Sequence, residues 1–361
     1  MKKLALLMLV AVAASAQPAK KRVIISTDLS MGVVGGWRQN DDADDGWAVG
    51  MALADPALDV RLVATVLGNS NVAPEQAAAD ALLVKILHSP VRRARGAAVA
   101  LDVVPATLNN TPQPNDCAND ATQAMQEVLA QGHATIVAIG PLTDVACVAM
   151  NAPANLVANI DQVIAIMGRQ ANEIFSVGSA KSGLTDFNLV MDTNAATYLL
   201  MNTSIPMTFM QFDVTKATLI PASFVASLQN GTPVQQYFYS TTSPWVAFWS
   251  AHLGENGFHP WDSNAVYYAG HPPAYACTTT TFSLVPCAAP SAVNPSDIYN
   301  RGTACAGHGP TQPNSLDRES VQLWLGPGYT SRNVTTCAAF SSPAQQADFA
   351  AAAVAFLGPV K

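Results

Sequence analysis

Short runs of β-branched residues alternate with alanine-rich helical patterns through the first two-thirds of the chain. The apolar runs predict strands at 23–26, 60–66, 135–139, 163–167 and 206–212. Apolar residues at three- and four-residue spacing predict helices over 46–54, 74–88, 142–150 and 193–201, with a last helix over 344–357. This alternation is typical of βαβ units. We therefore expect an α/β fold, a Rossmann-like open, mostly parallel central sheet with helices on both faces.

Several residues that could line a site follow the ends of predicted strands. Asp28 and Asn69 come directly after, or close to, a strand end, and so do Met167 and Asp213. Ligands bind beyond the carboxyl ends of the strands in sheets of this kind. We expect these positions to share one rim of the sheet.

An unusual acidic stretch occupies residues 40–46. Four of the five residues from Asp41 to Asp45 are carboxylates, and like charges at this spacing repel each other unless a positive partner collects them. Hard oxygen ligands without clustered His or Cys favour Ca²⁺ or Mg²⁺ over zinc or copper. The alternative is a solvated acidic loop that caps the helix beginning at 46.

Composition narrows the class of protein. Half of the residues are hydrophobic and 12% are charged, so the chain can bury a sizeable core. The formal charge is −7, and no basic stripe with interleaved aromatic residues occurs. Both features argue against a nucleic-acid partner. The sequence is compatible with a homo-oligomer.

The first residues resemble a secretory signal peptide. Lys2 and Lys3 precede an apolar segment at 4–13 and small residues at 14–16, and the apolar segment is too short to span a bilayer. We therefore predict that residues 1–16 are removed and that the protein is periplasmic or secreted. The mature chain would form a single α/β domain over 17–361, with no membrane association after cleavage.

Six cysteines are available for disulfides in such a compartment: Cys117, Cys147, Cys277, Cys287, Cys305 and Cys337. Cys277, Cys287 and Cys305 lie in a loop-rich insertion near 271–316, rich in Pro, Thr and Ser, where they are expected to act as staples. A second loop-like stretch covers 101–118. Cys147 lies within an apolar helical pattern and is expected to be a free core thiol.

Six segments follow one another along the chain as a set of short motifs. The first carries Thr27-Asp28, Asp44-Asp45-Gly46 and the strand that ends in Gly68-Asn69; the others are Gly140-Pro141-Leu142-Thr143, Met167-Gly168, Asp186-Phe187-Asn188 with Asp192, Asp213-Val214-Thr215, and Trp261-Asp262. In this order, the six segments resemble the nucleoside hydrolase family (inosine–uridine-type N-ribohydrolases). The resemblance covers residues 22–270. It implies hydrolysis of the N-glycosidic bond of ribonucleosides to ribose and a free base.

The resemblance also implies a Ca²⁺ site. Its ligands would be Asp28, Asp45, the backbone carbonyl of Thr143, and Asp262. A metal-bound water beside a carboxylate becomes a nucleophile near neutral pH. In the family, the carboxylate that matches Asp28 takes that water's proton.

Further residues would contact the substrate, a small-molecule nucleoside. The set implied by the resemblance is Asp44, Asn69, Met167, Asp186, Asn188 and Asp262. Asp44 and Asn188, helped by Asn69, would hold the 2′ and 3′ hydroxyls of the ribose. Asp186 stands where the family usually has Glu and would reach for the 5′ or 3′ hydroxyl.

Trp261 suggests how the leaving base is recognised. Some family members have a His at this position to protonate the base, whereas the purine-preferring branch has Trp. An indole cannot supply that proton, but it stacks on a purine ring, so we assign Trp261 a catalytic role by stacking and expect a mild purine preference. Aromatic residues within 237–249 could supply a second stacking ring. His259 is either a structural histidine or an acid in place of the missing one.

The chain departs from the family pattern at two places. About eleven extra residues separate Asp28 from Asp44, so Asp41 or Asp42 could take the place of Asp44. Trp37, in this 29–43 insertion, would either touch the substrate or pack on the surface. Ser26 stands where the family commonly has a second Asp.

Two other functions fit the same residues. One is a non-catalytic, Ca²⁺-dependent nucleoside or sugar binding protein that has lost turnover. The other is a hydrolase of another N-ribosyl compound, such as a nicotinamide riboside.

Overall fold

The computed structural model describes residues 19–34, 42–101, 117–168, 177–178, 186–285, 322–324 and 331–359. The strands within these ranges are β1 (Lys21–Thr27), β2 (Leu58–Thr65), β3 (Arg92–Arg95), β4 (Ala134–Ala138), β5 (Ile160–Ile166), β6 (Met207–Met210), β7 (Ile220–Pro221), β8 (Gly257–Phe258), β9 (Tyr275–Val285), β10 (Gln322–Trp324) and β11 (Ser331–Phe340). Nine of them form one sheet in the order β3-β2-β1-β4-β5-β6-β11-β9-β10, and β7 pairs with β8 separately.

The helices are α1 (Asp44–Ala54), α2 (Val72–Asp80), α3 (Asp120–Ala130), α4 (Thr143–Asn151), α5 (Ala154–Val157), α6 (Phe187–Met191), α7 (Thr193–Asn202), α8 (Phe212–Thr215), α9 (Ala222–Ser227), α10 (Pro233–Leu253), α11 (Trp261–Gly270) and α12 (Pro343–Ala355). A π-helical turn over Ala81–Ile86 continues α2. None of the described helices is both long and apolar enough to cross a membrane.

The nine-stranded sheet is parallel from β3 through β11, and among its described strands antiparallel pairing occurs only where β9 joins β11 and β10. The predicted α/β fold with a mostly parallel sheet is confirmed. Strand order reverses direction at β1, which lies between β2 and β4. Such a switch point leaves a crevice at the carboxyl ends of the strands, where ligands bind in this class of sheet.

Apolar side chains are buried on both faces of the sheet. Val23 and Ile25 belong to one core cluster, whereas Ile24 belongs to the other, as the alternation of a strand requires. Helices α1, α10, α11 and α12 cover the first face, and α3, α4 and α7 cover the second. The sheet is thus a buried, rigid platform for residues at its rim.

The predicted strands and helices are all found, with boundaries that differ by a few residues. The expectation of a loop-rich 271–316 stretch is wrong for its first part, because Tyr275–Val285 is strand β9. This threonine-rich segment is paired on both sides, by β11 and β10. Residues 286–316 lie outside the described residues.

The cysteine pairing also differs from expectation. Cys147 is bonded to Cys117, so it is not a free thiol, and Cys277 is bonded to Cys337, directly opposite on β11. Both partners are distant in sequence but adjacent in space, which a local apolar pattern does not reveal. The remaining two cysteines and residues 1–16, which were predicted to form a signal peptide, lie beyond the described ranges.

Candidate active site

A cavity lies at the switch point of the sheet, beyond the carboxyl ends of the central strands. Asp28, Ile139, Met167 and Phe212 line it, and each follows directly on, or within two residues of, the end of β1, β4, β5 or β6. One end of the cavity is acidic and the other is aromatic. The predicted shared rim is therefore present, although Phe212 and Thr215 line the cavity where Asp213 does not.

Every residue predicted for the site except Thr143 lines this cavity. The lining includes Asp28, Asp44, Asp45, Asn69, Met167, Asp186, Asn188, Trp261 and Asp262. The Thr143 hydroxyl donates a hydrogen bond to Asp192 Oδ2 at 2.6 Å, whereas the ligand predicted from the sequence is the Thr143 backbone carbonyl. The carbonyl of Ile139, a cavity residue, accepts a hydrogen bond from Asn188 Nδ2 at 3.0 Å.

Asp28 is held tightly at the end of β1. Its Oδ2 accepts a hydrogen bond from the Asn69 backbone N–H at 2.8 Å, while its buried Oδ1 has no hydrogen-bond partner among the described residues. A Cβ at Gly68 or Gly140 would overlap the Asp28 side chain or backbone. These two glycines are therefore required for the close approach of three chain segments around one carboxylate.

Asp44, Asp45 and Asp262 meet at the first turns of two neighbouring helices. Asp44 and Asp45 begin α1, and Asp262 is the second residue of α11; the positive ends of both helix dipoles favour anionic side chains there. One carboxylate oxygen from each lies within 4.8 Å of the others. Asp45 accepts hydrogen bonds from the Thr27 hydroxyl and from Asn69 Nδ2, the latter at 3.3 Å.

These buried carboxylates have strongly perturbed pKa values. Burial raises the pKa of Asp45 to about 7, against an ordinary value of 3.8. Burial, reinforced by repulsion from neighbouring carboxylates, raises the pKa of Asp28, Asp44 and Asp262 well above the usual range. Such a cluster is stable in its ionised form only with a cation beside it.

The donor set fits a hard divalent cation. All four carboxylates are at least 95% buried, and Asp28 Oδ1 lacks a partner within the described part of the chain. Carboxylate and carbonyl oxygens are the ligands that Ca²⁺ and Mg²⁺ prefer. These buried residues are therefore not part of a solvated acidic loop, which was the alternative considered from the sequence.

Asp42 adds a further carboxylate to the cavity. It is buried, and its Oδ1 accepts a hydrogen bond from the Asp44 backbone N–H at 3.3 Å. The 29–43 insertion thus ends inside the site, with Asp42 beside Asp44 rather than in its place. Trp37 and Asp41 lie outside the described residues.

Three tryptophans form the aromatic end. The Trp261 ring lies 5.3 Å from that of Trp249, which in turn lies 5.7 Å from that of Trp245, and both pairs are edge-to-face. Phe212 lies 6.2 Å from Trp261, measured between ring centroids. Trp245 and Trp249 are one turn apart on α10, so this helix supplies the additional aromatic rings that the 237–249 segment was expected to offer.

His259 lies outside the cavity lining, behind Trp261. The two rings are stacked, with an interplanar angle of 6°, and His259 Nδ1 is 2.8 Å from the Thr218 carbonyl oxygen. Its Nε2 is 3.8 Å from Glu255 Oε1, and burial lowers the pKa of the imidazole. This favours the structural histidine among the two alternatives.

Asp186 is engaged by the backbone. Its Oδ2 accepts a hydrogen bond from the Gly168 N–H at 2.6 Å, and its Oδ1 caps α6 through the Leu189 N–H at 3.4 Å. Ser26, where a second Asp was expected by resemblance, is fully buried, and its hydroxyl has no hydrogen-bond partner among the described residues.

Sequence reasoning missed two features of the cavity. The Ile139 carbonyl was not singled out, although it precedes the Gly140-Pro141 turn that ends β4. Phe212 was also missed, although it precedes the Asp213 that had been noted. Ile139 and Phe212 are each next in sequence to a residue that the motifs had identified. Both lie at the end of a predicted strand, so their expected place at the shared rim of the sheet could have identified them.

Comparison with known proteins identifies the family. The family model described as inosine-uridine preferring nucleoside hydrolase matches residues 24–331. The non-specific ribonucleoside hydrolase RihC of Klebsiella pneumoniae is 30% identical over 202 residues, which cover 51% of this chain and 63% of that protein. RihC of Salmonella typhi is 28% identical over 201 residues, covering 51% and 62%. The match thus spans less than two thirds of these relatives.

Solved structures share the fold. An inosine-guanosine nucleoside hydrolase superposes with a TM-score of 0.66 at 17% identity, covering 95% of this chain and 100% of the other. A purine-preferring ribonucleoside hydrolase from Gardnerella vaginalis superposes with a TM-score of 0.60 at 17% identity, covering 93% and 99%. From the extent of the family match, the chain belongs to the inosine-uridine preferring nucleoside hydrolase family.

Proposed function

We propose that this protein hydrolyses the N-glycosidic bond of ribonucleosides, with a mild preference for purines, and that it requires Ca²⁺. The observation that carries the proposal is the convergence of four buried carboxylates, from β1, α1 and α11, at one end of a cavity whose other end is aromatic. This arrangement matches a polar sugar joined to a flat base.

The acidic end would hold the cation and the sugar. Asp28, Asp45 and Asp262 would bind Ca²⁺, with a main-chain oxygen from the 139–143 segment. When bound, the cation would lower the pKa of a water molecule and so make it nucleophilic. Asp44, Asn69 and Asn188 would hold the ribose hydroxyls.

Asp28 is suited to accept a proton. Its Oδ1 has no hydrogen-bond partner among the described residues, and the Asn69 N–H fixes the carboxylate through Oδ2. As the C1′–N bond breaks, its electron pair goes to the base, water oxygen bonds to C1′, and Asp28 takes the water proton. The nearby carboxylates stabilise the positive charge that develops on the sugar.

Trp261 supports the purine preference. A bicyclic base covers more of an indole face than a pyrimidine does, and Trp249 and Phe212 extend the wall beside it. The base would leave with a proton from solvent, because the indole cannot provide one.

Export to the periplasm or outside the cell remains part of the proposal. Disulfides persist in oxidising compartments, and the chain forms at least two, Cys117–Cys147 and Cys277–Cys337. This is consistent with the signal-like segment at 1–16.

The test is base and ribose release from inosine, guanosine, adenosine, uridine and cytidine by the purified mature protein, with and without EDTA. We expect turnover that EDTA abolishes and added Ca²⁺ restores, with purines ahead. Ca²⁺-dependent nucleoside binding at one molecule per site, without turnover, would instead support a binding protein.

A further inference from the structure

We propose that Asn264 and Tyr275 are positioning residues for the reaction, which together fix the first turn of α11, where Trp261 and Asp262 lie. The inference rests on the proposed function, because Trp261 forms its base wall and Asp262 belongs to its cation site. Neither Asn264 nor Tyr275 is among the described residues that line the cavity. They would therefore act through the turn and not by contact with the substrate.

The first turn of α11 begins without a capping side chain. Its N-cap residue is Pro260, which makes no side-chain hydrogen bond to the turn. The first four N–H groups of a helix have no partner within the helix, and uncapped helix ends fray. Asp262 lies in this turn but also lines the cavity, where a cation would engage its carboxylate. A helix start that carries two site residues therefore needs support from elsewhere.

Asn264 holds this turn through its carbonyl groups. Its Nδ2 donates hydrogen bonds to the carbonyl oxygens of Pro260 and Trp261, each at 3.2 Å, and the residue is fully buried. A carbonyl oxygen can only accept a hydrogen bond, so the amide nitrogen must face these two groups and Oδ1 must face away from them. The orientation of the amide thus depends on a donor that reaches Oδ1.

The Tyr275 hydroxyl is that donor. It donates to Asn264 Oδ1 at 3.1 Å and lies 3.3 Å from the Asn264 carbonyl oxygen. Burial raises the pKa of Tyr275 well above its ordinary value, so the hydroxyl keeps its proton and remains a donor. The hydrogen bonds therefore run from Tyr275 through the Asn264 amide to the turn that carries Trp261.

Tyr275 is held by the sheet and not by α11. It is the first residue of β9 and lies opposite Phe340 on β11, and the two rings are stacked with their centroids 4.8 Å apart. The Cys277–Cys337 bond links the same two strands, and β11 pairs with β6 in the parallel part of the sheet. The network thus fixes the helix start relative to the sheet, which also positions Asp28 at the end of β1.

A shift of this turn would affect cation binding and base stacking at once. One carboxylate oxygen from each of Asp44, Asp45 and Asp262 lies within 4.8 Å of the others, and the Trp261 ring lies 5.3 Å from that of Trp249. Groups that orient a metal ligand typically contribute about 10–100-fold to metal affinity or activity. A merely structural role would lower stability and leave both properties of the folded protein unchanged.

The test compares the wild-type protein with three single variants. Tyr275→Phe removes only the hydroxyl, and Asn264→Ala removes the amide. Tyr267→Phe is the matched control, because Tyr267 is a buried tyrosine of α11 whose ring packs edge-to-face on Tyr275, and no hydrogen bond joins its hydroxyl to the described residues of the first turn. The readouts are Ca²⁺ affinity by calorimetry, amide hydrogen exchange of the 259–266 segment in EDTA, and kcat/KM for inosine and for uridine.

We expect Tyr275→Phe and Asn264→Ala each to weaken Ca²⁺ affinity about tenfold and to lower the inosine-to-uridine ratio of kcat/KM about threefold. Both should speed hydrogen exchange in the 259–266 segment. Tyr267→Phe should stay within about twofold of the wild type in affinity and in ratio. The double variant Asn264→Ala/Tyr275→Phe should bind Ca²⁺ within about twofold of Asn264→Ala, because Tyr275 acts through Asn264.

Two outcomes would overturn the inference while leaving the proposed function in place. One is wild-type Ca²⁺ affinity and hydrogen exchange in Tyr275→Phe, and the other is additive losses of affinity in the double variant. Tyr275→Phe retains the ring and decides the matter should Asn264→Ala not fold. A wild-type protein that turns over no nucleoside would instead overturn the proposed function, and hydrogen exchange in EDTA would still decide whether the two residues fix the turn.

Discussion

At the scale of single residues, the acidic end of the cavity consists of buried carboxylates that lie close to one another and accept few hydrogen bonds. Asp45 illustrates this: the Thr27 hydroxyl and Asn69 Nδ2 each occupy one of its oxygens, yet burial still raises its pKa to about 7. The hydrogen bonds orient the side chain without neutralising it. The remaining charge is what a cation would bind.

Asp45→Asn should therefore reduce Ca²⁺ affinity and kcat/KM together, by about a hundredfold or more each, because the amide keeps the shape but loses the charge. Calcium titration by calorimetry and steady-state kinetics would measure both. Asp144→Asn is the matched control. Asp144 is equally buried and accepts from Ala97 and Asn119, but it is not among the described cavity residues. Unchanged calcium affinity in Asp45→Asn would refute the site.

Trp261 provides a separate test of base recognition. Trp261→Leu should lower kcat/KM for inosine about tenfold more than for uridine, since stacking on an aromatic face contributes about 1–3 kcal/mol per base and is greater for a bicyclic ring. Uridine serves as the internal control for damage to the acidic end. An equal loss for both nucleosides would mean that Trp261 positions the neighbouring Asp262 rather than the base.

At the scale of elements, strands and helices were predicted correctly where the local pattern of apolar residues matches the way the element is buried in the fold. The βαβ alternation identified β1, β2, β4, β5 and β6, whose continuous apolar runs reflect burial on both faces. Helix α10 was not predicted, because Pro244 lies inside it and proline ordinarily ends a helix. Its start was readable, since Thr232, Pro233 and Gln235 form a capping box with proline at the first helical position.

The disulfides could not be predicted for a different reason. Cys117 and Cys147 are separated by 30 residues and meet only because α3 packs on α4. The double variant Cys117→Ala/Cys147→Ala should lower the free energy of unfolding by about 2–4 kcal/mol, because the cross-link restricts the unfolded chain. Urea denaturation without reductant measures this. If the wild type and the double variant have the same midpoint, the bond contributes nothing to stability.

At the scale of the whole molecule, the site exists because the sheet, two helices and an insertion bring distant segments to one point. Sequence motifs named Asp28, Asp45 and Asp262 as residues of one site, and all three line the cavity, but the motifs did not reveal that Asp42 would join them or that the Thr143 side chain would bond to Asp192. Motif order carries no information on how a long insertion folds back. Side-chain direction within a turn is likewise set by packing.

The buried carboxylates make stability depend on pH and on the cation together. In metal-free protein, Asp45 has its pKa raised from 3.8 to about 7, and Asp28, Asp44 and Asp262 shift in the same direction. The folded state therefore binds more protons than the unfolded state between about pH 4 and pH 7. By linkage, the free energy of unfolding must fall as pH rises through this interval.

We therefore expect the melting temperature in EDTA to decrease from pH 5 to pH 8. A saturating concentration of Ca²⁺ should raise it more at pH 8 than at pH 5, because the cation binds the ionised carboxylates and competes with their protons. Differential scanning fluorimetry at constant ionic strength measures both slopes. Asp45→Asn should flatten the slope in EDTA, since it removes one of the titrating groups. A melting temperature in EDTA that rises over this interval would show that the carboxylates are paired with a positive group, and the acidic end would then have no need of a cation.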